Sequence, residues 1–191
     1  MSERSCSVCG SWFSMSRTNS KLLGSGTNVF CSIDCMVKLI RQSKGLDTKL
    51  LERKGIIRRR NGASCVGFDP LCYSVKLNCS FRSYFEILVA ETLVLSRGLE
   101  CCYEPYDIPM HFGYNDRVYV PDFFLPEYGV FIEVKGEWLH GGRKKFRSAL
   151  DIFGQDRMLL LGSYTLKAFR REVLTLDGCS IHKDTKSVSS N

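Results

Sequence analysis

Long apolar runs are missing from this chain. No stretch of about 18 apolar residues occurs, so no membrane-spanning helix is expected and the protein is read as having no membrane partner. The first residues, Met1-Ser2-Glu3-Arg4-Ser5-Cys6, lack the apolar segment of a secretory signal, so a cytosolic location is the expectation. Histidine is scarce. His111, His140 and His182 stand apart from one another, and a structural or solvated role is expected for each rather than metal ligation. No internal repeat is visible.

Cysteine, by contrast, is abundant, with ten in 191 residues. In a cytosolic protein such thiols point to metal binding or buried sulfur rather than to disulfides. Cys6-x2-Cys9 and Cys31-x3-Cys35 form two close pairs separated by 21 residues. Four thiolates in two knuckles predict one tetrahedral structural Zn²⁺. Cys9-Gly10 suits a tight knuckle, and Cys31 and Cys35 lie one helical turn apart, so both can face one ion. Cys65, Cys72 and Cys79 have six residues between neighbours, which fits no knuckle, and core or surface thiols are expected there.

The net charge of +7 is unevenly spread. Residues 36–64 hold nine Lys and Arg against Asp47 and Glu52, so the rest of the chain is close to neutral. A local basic block suggests a polyanion partner, with Arg58, Arg59 and Arg60 as candidate nucleic-acid contacts, although a solvated helix face would look the same. Ser14, Ser16, Arg17 and Lys21 in the cysteine module are weaker candidates for phosphate contact.

The chain divides into a cysteine module (1–40), a basic helical linker (41–64), a main domain (65–182) and a tail (183–191) whose lack of apolar residues predicts disorder. Leu46, Leu50 and Leu51 among lysines and arginines predict an amphipathic helix that ends near the turn-like Arg58–Gly62. Phe81, Tyr84, Phe85, Leu88, Thr92 and Leu95 fall on one helical face over 81–97, with Gly98 as a stop. Strands are expected at Glu100–Tyr106, Val118–Leu125 and Val130–Lys135, then a helix at Arg143–Phe153, a buried strand at Met158–Leu161 and a last helix at Tyr164–Leu174. The expected class is α/β, a mixed sheet flanked by helices.

The segment from Val118 to Gly136 is the most informative. Pro126-Glu127-Tyr128-Gly129 has turn composition between two apolar runs and predicts a hairpin. Pairing across that turn sets Leu125 against Val130 and Phe124 against Phe131, and carries Asp122 opposite Glu133. Alternation puts Glu133 and Lys135 on one face and Val130, Ile132 and Val134 on the other. Adjacent carboxylates repel unless a cation or proton intervenes. A hard divalent ion such as Mg²⁺ takes oxygen ligands and promotes phosphodiester hydrolysis, while a neighbouring lysine can stabilise developing negative charge. A surface hairpin with ordinary solvated charges is the bland alternative. Two features weigh against it: the charges interrupt a very apolar strand, and Pro121 breaks the regular ladder.

Pro121-Asp122, ten residues, then Glu133-Val134-Lys135 resembles the signature of the PD-(D/E)XK nuclease superfamily. The resemblance implies a restriction-endonuclease-like αβββαβ core, Mg²⁺ or Mn²⁺ held by Asp122 and Glu133, and Lys135 assisting the nucleophile. It also implies an acidic residue from the preceding helix, a place that Glu86 fills; Ser83-x-x-Glu86 equally makes a capping box. Within the superfamily, residues 80–162 are similar to phage endonuclease I, a Holliday-junction resolvase that works as a homodimer, down to Trp138 and the basic run Arg143, Lys144, Lys145. Arg143, Lys144, Lys145 and Arg147 are therefore expected to hold the DNA backbone. Cys6-x2-Cys9-Gly10-x2-Phe13 with Phe30-Cys31-Ser32-x2-Cys35 resembles a treble-clef zinc finger.

The function expected is a metal-dependent DNA endonuclease acting on branched intermediates of recombination or replication. A sequence-specific, homing-type endonuclease and a non-catalytic zinc-dependent DNA-binding protein are the competing readings.

Overall fold

The computed structural model of the chain describes residues 2–15, 27–60, 72–112, 115–135, 141–162 and 169. The expectations for Ser16, Arg17, Lys21, Cys65, Trp138, His140, His182, the helix at 164–174 and the tail at 183–191 lie outside the described residues.

Strands β1 (Ser2–Ser5) and β2 (Trp12–Met15) pair antiparallel, Ser2 opposite Met15. Helix α1 (Ile33–Gln42) is capped by the Ser32 hydroxyl, which accepts from the Cys35 N–H. Ile33, Met36, Val37 and Ile40 recur at helical spacing and are all buried. Helix α2 (Thr48–Arg53) is capped by the Asp47 carboxylate, which accepts from the Leu50 N–H at 2.9 Å. Arg58–Arg59 is then a strand, β3, and not the helix end and turn expected there. Its backbone pairs with a later strand, Arg58 opposite Asp107, and Ile57 before it is fully buried, so a sheet edge claims the segment.

Strands β4 (Cys72–Ser74) and β5 (Cys79–Phe81) form a hairpin that the sequence pattern did not announce. Cys72 is a free thiol and Cys79 is disulfide-bonded, which corrects the expectation of a free thiol at 79. Phe81 belongs to β5, so helix α3 starts later than expected, at Tyr84, and runs to Glu91 under a Ser83 cap. A π-helical turn, Thr92–Ser96, continues it until Gly98 at φ +62° stops it. The remaining elements are β6 (Cys102–Tyr103), β7 (Tyr106–Phe112), β8 (Asn115–Tyr119), β9 (Phe123–Leu125), β10 (Val130–Lys135), α4 (Gly142–Phe153) and β11 (Met158–Gly162).

The central sheet has the order β11-β10-β9-β6; β10 runs parallel to β11 and antiparallel to β9, so the sheet is mixed. The β7–β8 hairpin, with β3 on its edge, forms a second sheet inserted between β6 and β9. Two single expected strands, at 100–106 and 118–125, are thus each divided. Pro109 inside β7 disguised that hairpin, because proline removes a ladder donor and weakens the strand signature.

Alternation along β9, β10 and β11 sorts the core into two faces. Phe123, Leu125, Ile132, Val134, Leu159 and Leu161 pack with the buried faces of α1 and α3. Phe124, Phe131, Met158 and Leu160 pack with Phe146 and Ala149 of α4 and with Tyr106, Ile108 and Tyr119 of the second sheet. Burying one such side chain contributes about 1.5–3 kcal/mol before ordering costs. The helix of the cysteine module therefore shares its core with the rest of the fold instead of standing clear of it. No helix among the described residues is long and apolar enough to cross a membrane.

Candidate active site and metal centre

The hairpin turn closes on Leu125, whose carbonyl accepts from the N–H groups of Tyr128 at 3.3 Å and Gly129 at 2.8 Å. Gly129 has φ +64°, a conformation that suits glycine. The register is the one counted from the sequence, Leu125 with Val130, Phe124 with Phe131 and Phe123 with Ile132. The ladder ends there. Asp122 leaves it and turns its carboxylate onto β10, where Oδ2 accepts from the Val134 N–H at 2.7 Å. That backbone amide lies between Glu133 and Lys135, so all three functional groups converge.

Both carboxylates are buried, Asp122 at 5% and Glu133 at 2% exposure. Glu133 Oε1 lies 2.6 Å from Lys135 Nζ, and its Oε2 accepts from the Tyr119 hydroxyl at 2.7 Å. Burial, then the charge of Glu133, pushes the Asp122 carboxyl well above its ordinary range, against the pull of Lys135 and the Val134 amide. Burial also raises Glu133, although Lys135 and the Tyr119 hydroxyl oppose it. Burial would strip the proton from Lys135, but Glu133 and Asp122 outweigh it and hold the ammonium above its usual value. The cluster is short of positive charge, and its donors are hard oxygens, so the residues present fit a divalent cation.

Glu86 satisfies the helix cap: the Ser83 N-cap hydroxyl accepts from its N–H at 3.3 Å and donates to its Oε1 at 2.7 Å. Its Oε2 accepts from the Tyr103 hydroxyl at 2.6 Å and the Arg82 N–H at 3.1 Å. Its charge still reaches the site, raising both Asp122 and Glu133. Glu86, Asp122 and Glu133 nevertheless do not draw together into a tight ligand cluster among the described residues. Each carboxylate is engaged by its own donors, and three buried negative charges repel.

Glu104 escaped the sequence reading. It is buried at 7% exposure, and its backbone is left-handed at φ +44°, a state that costs a non-glycine residue roughly 1–3 kcal/mol. Its N–H donates to the Asp122 carbonyl at 2.9 Å. Tyr103 and Tyr119 escaped too. A tyrosine in a strand ordinarily signals packing, and only the strand pairing brings these hydroxyls to carboxylates.

The expected basic contacts are dispersed. Arg143, Lys144 and Arg147 lie on the exposed side of α4, whereas Lys145 Nζ donates to the Val118 carbonyl at 2.9 Å and ties α4 to β8. Arg58 and Arg59 are exposed on β3, and Arg60 turns toward Glu104 and Asp107. His111 pairs with Asp116 at 2.7 Å in an exposed position, as a solvated role requires.

The sulfurs of Cys6, Cys9, Cys31 and Cys35 lie within 4.8 Å of one another. Cys6–Gly10 is the loop joining β1 to β2, closed by the Gly10 N–H on the Cys6 carbonyl at 3.0 Å, with Gly10 at φ +73°. Ser7 pairs with Val29 through both its N–H and its hydroxyl, at 2.8 and 2.9 Å, which brings the second pair alongside. The Ser32 cap then sets Cys31 just before α1 and Cys35 in its first turn. The separations Cys9–Cys31 and Cys31–Cys35 are 3.5 and 3.6 Å. Tetrahedral thiolate ligation at a metal–sulfur length of about 2.3 Å calls for about 3.8 Å between sulfurs, so the four thiols fit a metal such as zinc. Without a cation they cannot all be thiolates: hydrogen bonds from Ser11 hold Cys9 down to about 6, while burial and its neighbouring thiols push Cys31 up to about 12.

A buried carboxylate pair with a lysine on a mixed α/β scaffold has the groups that hydrolytic phosphoryl chemistry uses. Residues 71–152 match the family model for phage endonuclease I, and that part of the chain is similar to it. Over 66 residues, 35% of this chain, it is 44% identical to endodeoxyribonuclease 1 of Enterobacteria phage T3, covering 42% of that protein. It is likewise 39% identical over 66 residues to endonuclease I of Escherichia phage T7, covering 43% of that protein and 35% of this chain. The matched stretch thus spans less than half the length of either relative. No solved structure matches the chain.

Proposed function

We propose that this protein is a metal-dependent DNA endonuclease with a restriction-endonuclease-like core in residues 65–182, carrying Asp122, Glu133 and Lys135 at its catalytic centre and Glu86 at its border. The observation that carries this reading is the buried Asp122–Glu133 pair sharing one lysine. Natural folds do not keep two adjacent buried carboxylates without a compensating use. The names of the phage relatives support DNA as the substrate, and similarity to a resolvase family supports branched DNA in recombination or replication over linear duplex.

In the proposed reaction, Asp122 and Glu133 hold Mg²⁺ or Mn²⁺ through carboxylate oxygens. The cation supplies charge neutralisation at the phosphoryl group and activation of water. Tyr119 fixes Glu133, and the Val134 amide fixes Asp122, so neither carboxylate must reorganise. The Lys135 ammonium faces the negative charge that develops on the phosphoryl oxygens. Arg143, Lys144 and Arg147, with Lys145 anchoring α4, supply backbone contacts, and Arg58, Arg59 and Arg60 extend the basic surface. Cys6, Cys9, Cys31 and Cys35 hold one structural Zn²⁺.

The test is cleavage of a four-way junction and of linear duplexes with Mg²⁺. The wild type should cut the junction in preference, while Asp122→Ala and Lys135→Ala should lose at least about 100-fold in rate, as removal of a transition-state interaction does. Equal cutting by the variants would sink the assignment. Preference for one linear sequence would favour the homing-type reading, and metal-dependent binding without cutting would favour the non-catalytic one.

A further inference from the structure

Glu104 is buried, unused by the proposed chemistry and held in a left-handed conformation beside Asp122. Two guanidinium groups meet on it. Arg82 Nη2 lies 2.7 Å from Oε1 and 2.8 Å from Oε2, and Arg60 Nη1 lies 3.4 Å from Oε2. Arg60 is held from its other side by Asp107 at 3.5 Å. The two arginines differ in exposure: the Arg60 side chain is 30% exposed, that of Arg82 50%. Half of the Arg82 side chain therefore faces solvent while its tip is fixed on a buried anion.

The position of Arg82 follows from its backbone. Its N–H donates to Glu86 Oε2 at 3.1 Å and to the Tyr103 hydroxyl at 3.2 Å, directly before the Ser83 cap of α3. Glu86 in turn acts electrostatically on Asp122, Glu133 and Lys135. Arg82 thus joins Glu86 through its backbone and Glu104 through its guanidinium, and the Glu104 N–H in turn donates to the Asp122 carbonyl. Arginine's planar fork matches phosphate oxygens, and a guanidinium already fixed loses little freedom on binding them.

We infer that Arg82, supported by Arg60, is a phosphate-binding residue for the nucleic-acid backbone beside the catalytic centre, with Glu104 as the positioning residue that aims it. This rests on the nuclease reading above and adds a substrate-binding group that the basic runs of the sequence do not contain. An arginine serving only to neutralise Glu104 would be expected to be covered by protein. The half-exposed side chain favours the substrate role.

The experiment measures binding of a four-way junction without divalent ion, so that no strand is cut, across about 50–200 mM salt, together with melting midpoints and Mg²⁺-dependent cleavage rates. Arg82→Ala should weaken binding about tenfold and flatten the slope of log affinity against log salt by about 0.9, as expected when one phosphate is no longer neutralised. Arg82→Lys should keep the slope and cut more slowly, because the charge stays and the fork is gone. Glu104→Gln keeps every cation, so its slope should hold while kcat falls more than KM rises. If Arg82→Ala folds poorly, Arg82→Lys decides. Lowered melting midpoints with unchanged slope and unchanged cleavage would overturn the inference and leave Arg82 as a structural ion pair. Failure of the wild type to bind DNA at all would instead remove the nuclease reading itself.

Discussion

Burying Asp122 beside Glu133 makes the ionised pair unfavourable until positive charge arrives, and this has a measurable sign. A carboxyl whose folded proton affinity is raised binds more protons folded than unfolded, so stability falls as pH rises above the ordinary carboxylate range, about 4. Asp122→Asn keeps an acceptor for the Val134 N–H and removes the charge. Without divalent ion it should melt roughly 2–4 °C above the wild type at pH 8, a gain of about 1 kcal/mol that shrinks as pH is lowered toward 4, while cleavage is abolished. A variant that melts below the wild type at pH 8 would contradict this. Tyr119→Phe removes a donor to Glu133 Oε2. That favours the protonated carboxyl, so the acidic limb of the pH–rate profile should move to higher pH, with stability lower by about 1 kcal/mol. An unmoved limb would show that Tyr119 only packs.

At the scale of elements, the hairpin that carries the site is pinned at its turn. A Cβ at Gly129 would run into the Leu46 backbone nitrogen and side chain, and the left-handed φ of +64° already disfavours it. Gly129→Ala should therefore destabilise by about 2 kcal/mol or more in chemical denaturation, well beyond an ordinary glycine-to-alanine change. Helix α4 presents Arg143, Lys144 and Arg147 outward from a face anchored by Phe146 and Ala149. Replacing the three together by alanine should flatten the salt dependence of DNA binding by about 0.9 for each phosphate left without its cation, with little change in melting. An unaltered slope would assign these charges to solvation.

For the whole molecule, the consequence of α1 packing on the central sheet is cooperativity. Its buried residues lie in one cluster with α3, β9, β10 and β11. Treating the protein with a chelator, or changing Cys35 to Ser, should lower a single unfolding transition of the entire chain, followed by calorimetry. Separate melting of an N-terminal unit, with the remainder unmoved, would show that the two parts are energetically independent.

What the sequence determined by itself was local and periodic. Turn composition at Pro126–Gly129 and alternation on either side fixed the register from Leu125–Val130 to Phe123–Ile132, because hydrogen bonding across a tight turn leaves one pairing that keeps apolar residues on matching faces. The spacing of the four cysteines indicated their clustering for the same kind of reason, a knuckle loop and one helical turn. The capping box at Ser83 was readable three residues ahead. Tertiary structure decided what depends on segments distant in sequence. Arg58–Arg59 became a strand through its pairing with Tyr106 and Asp107, far along the chain, and the β7–β8 sheet formed despite Pro109. The Asp122–Glu133–Lys135 site opened on the residues the hairpin supplied, and tertiary packing sharpened it. Tyr119 reaches Glu133 from β8, Tyr103 reaches Glu86 from β6, and the Glu104 N–H reaches the Asp122 carbonyl, and burial then turned ordinary carboxylates into a site short of positive charge. No local pattern encodes that, because desolvation depends on everything packed around a group and not on its neighbours in the chain.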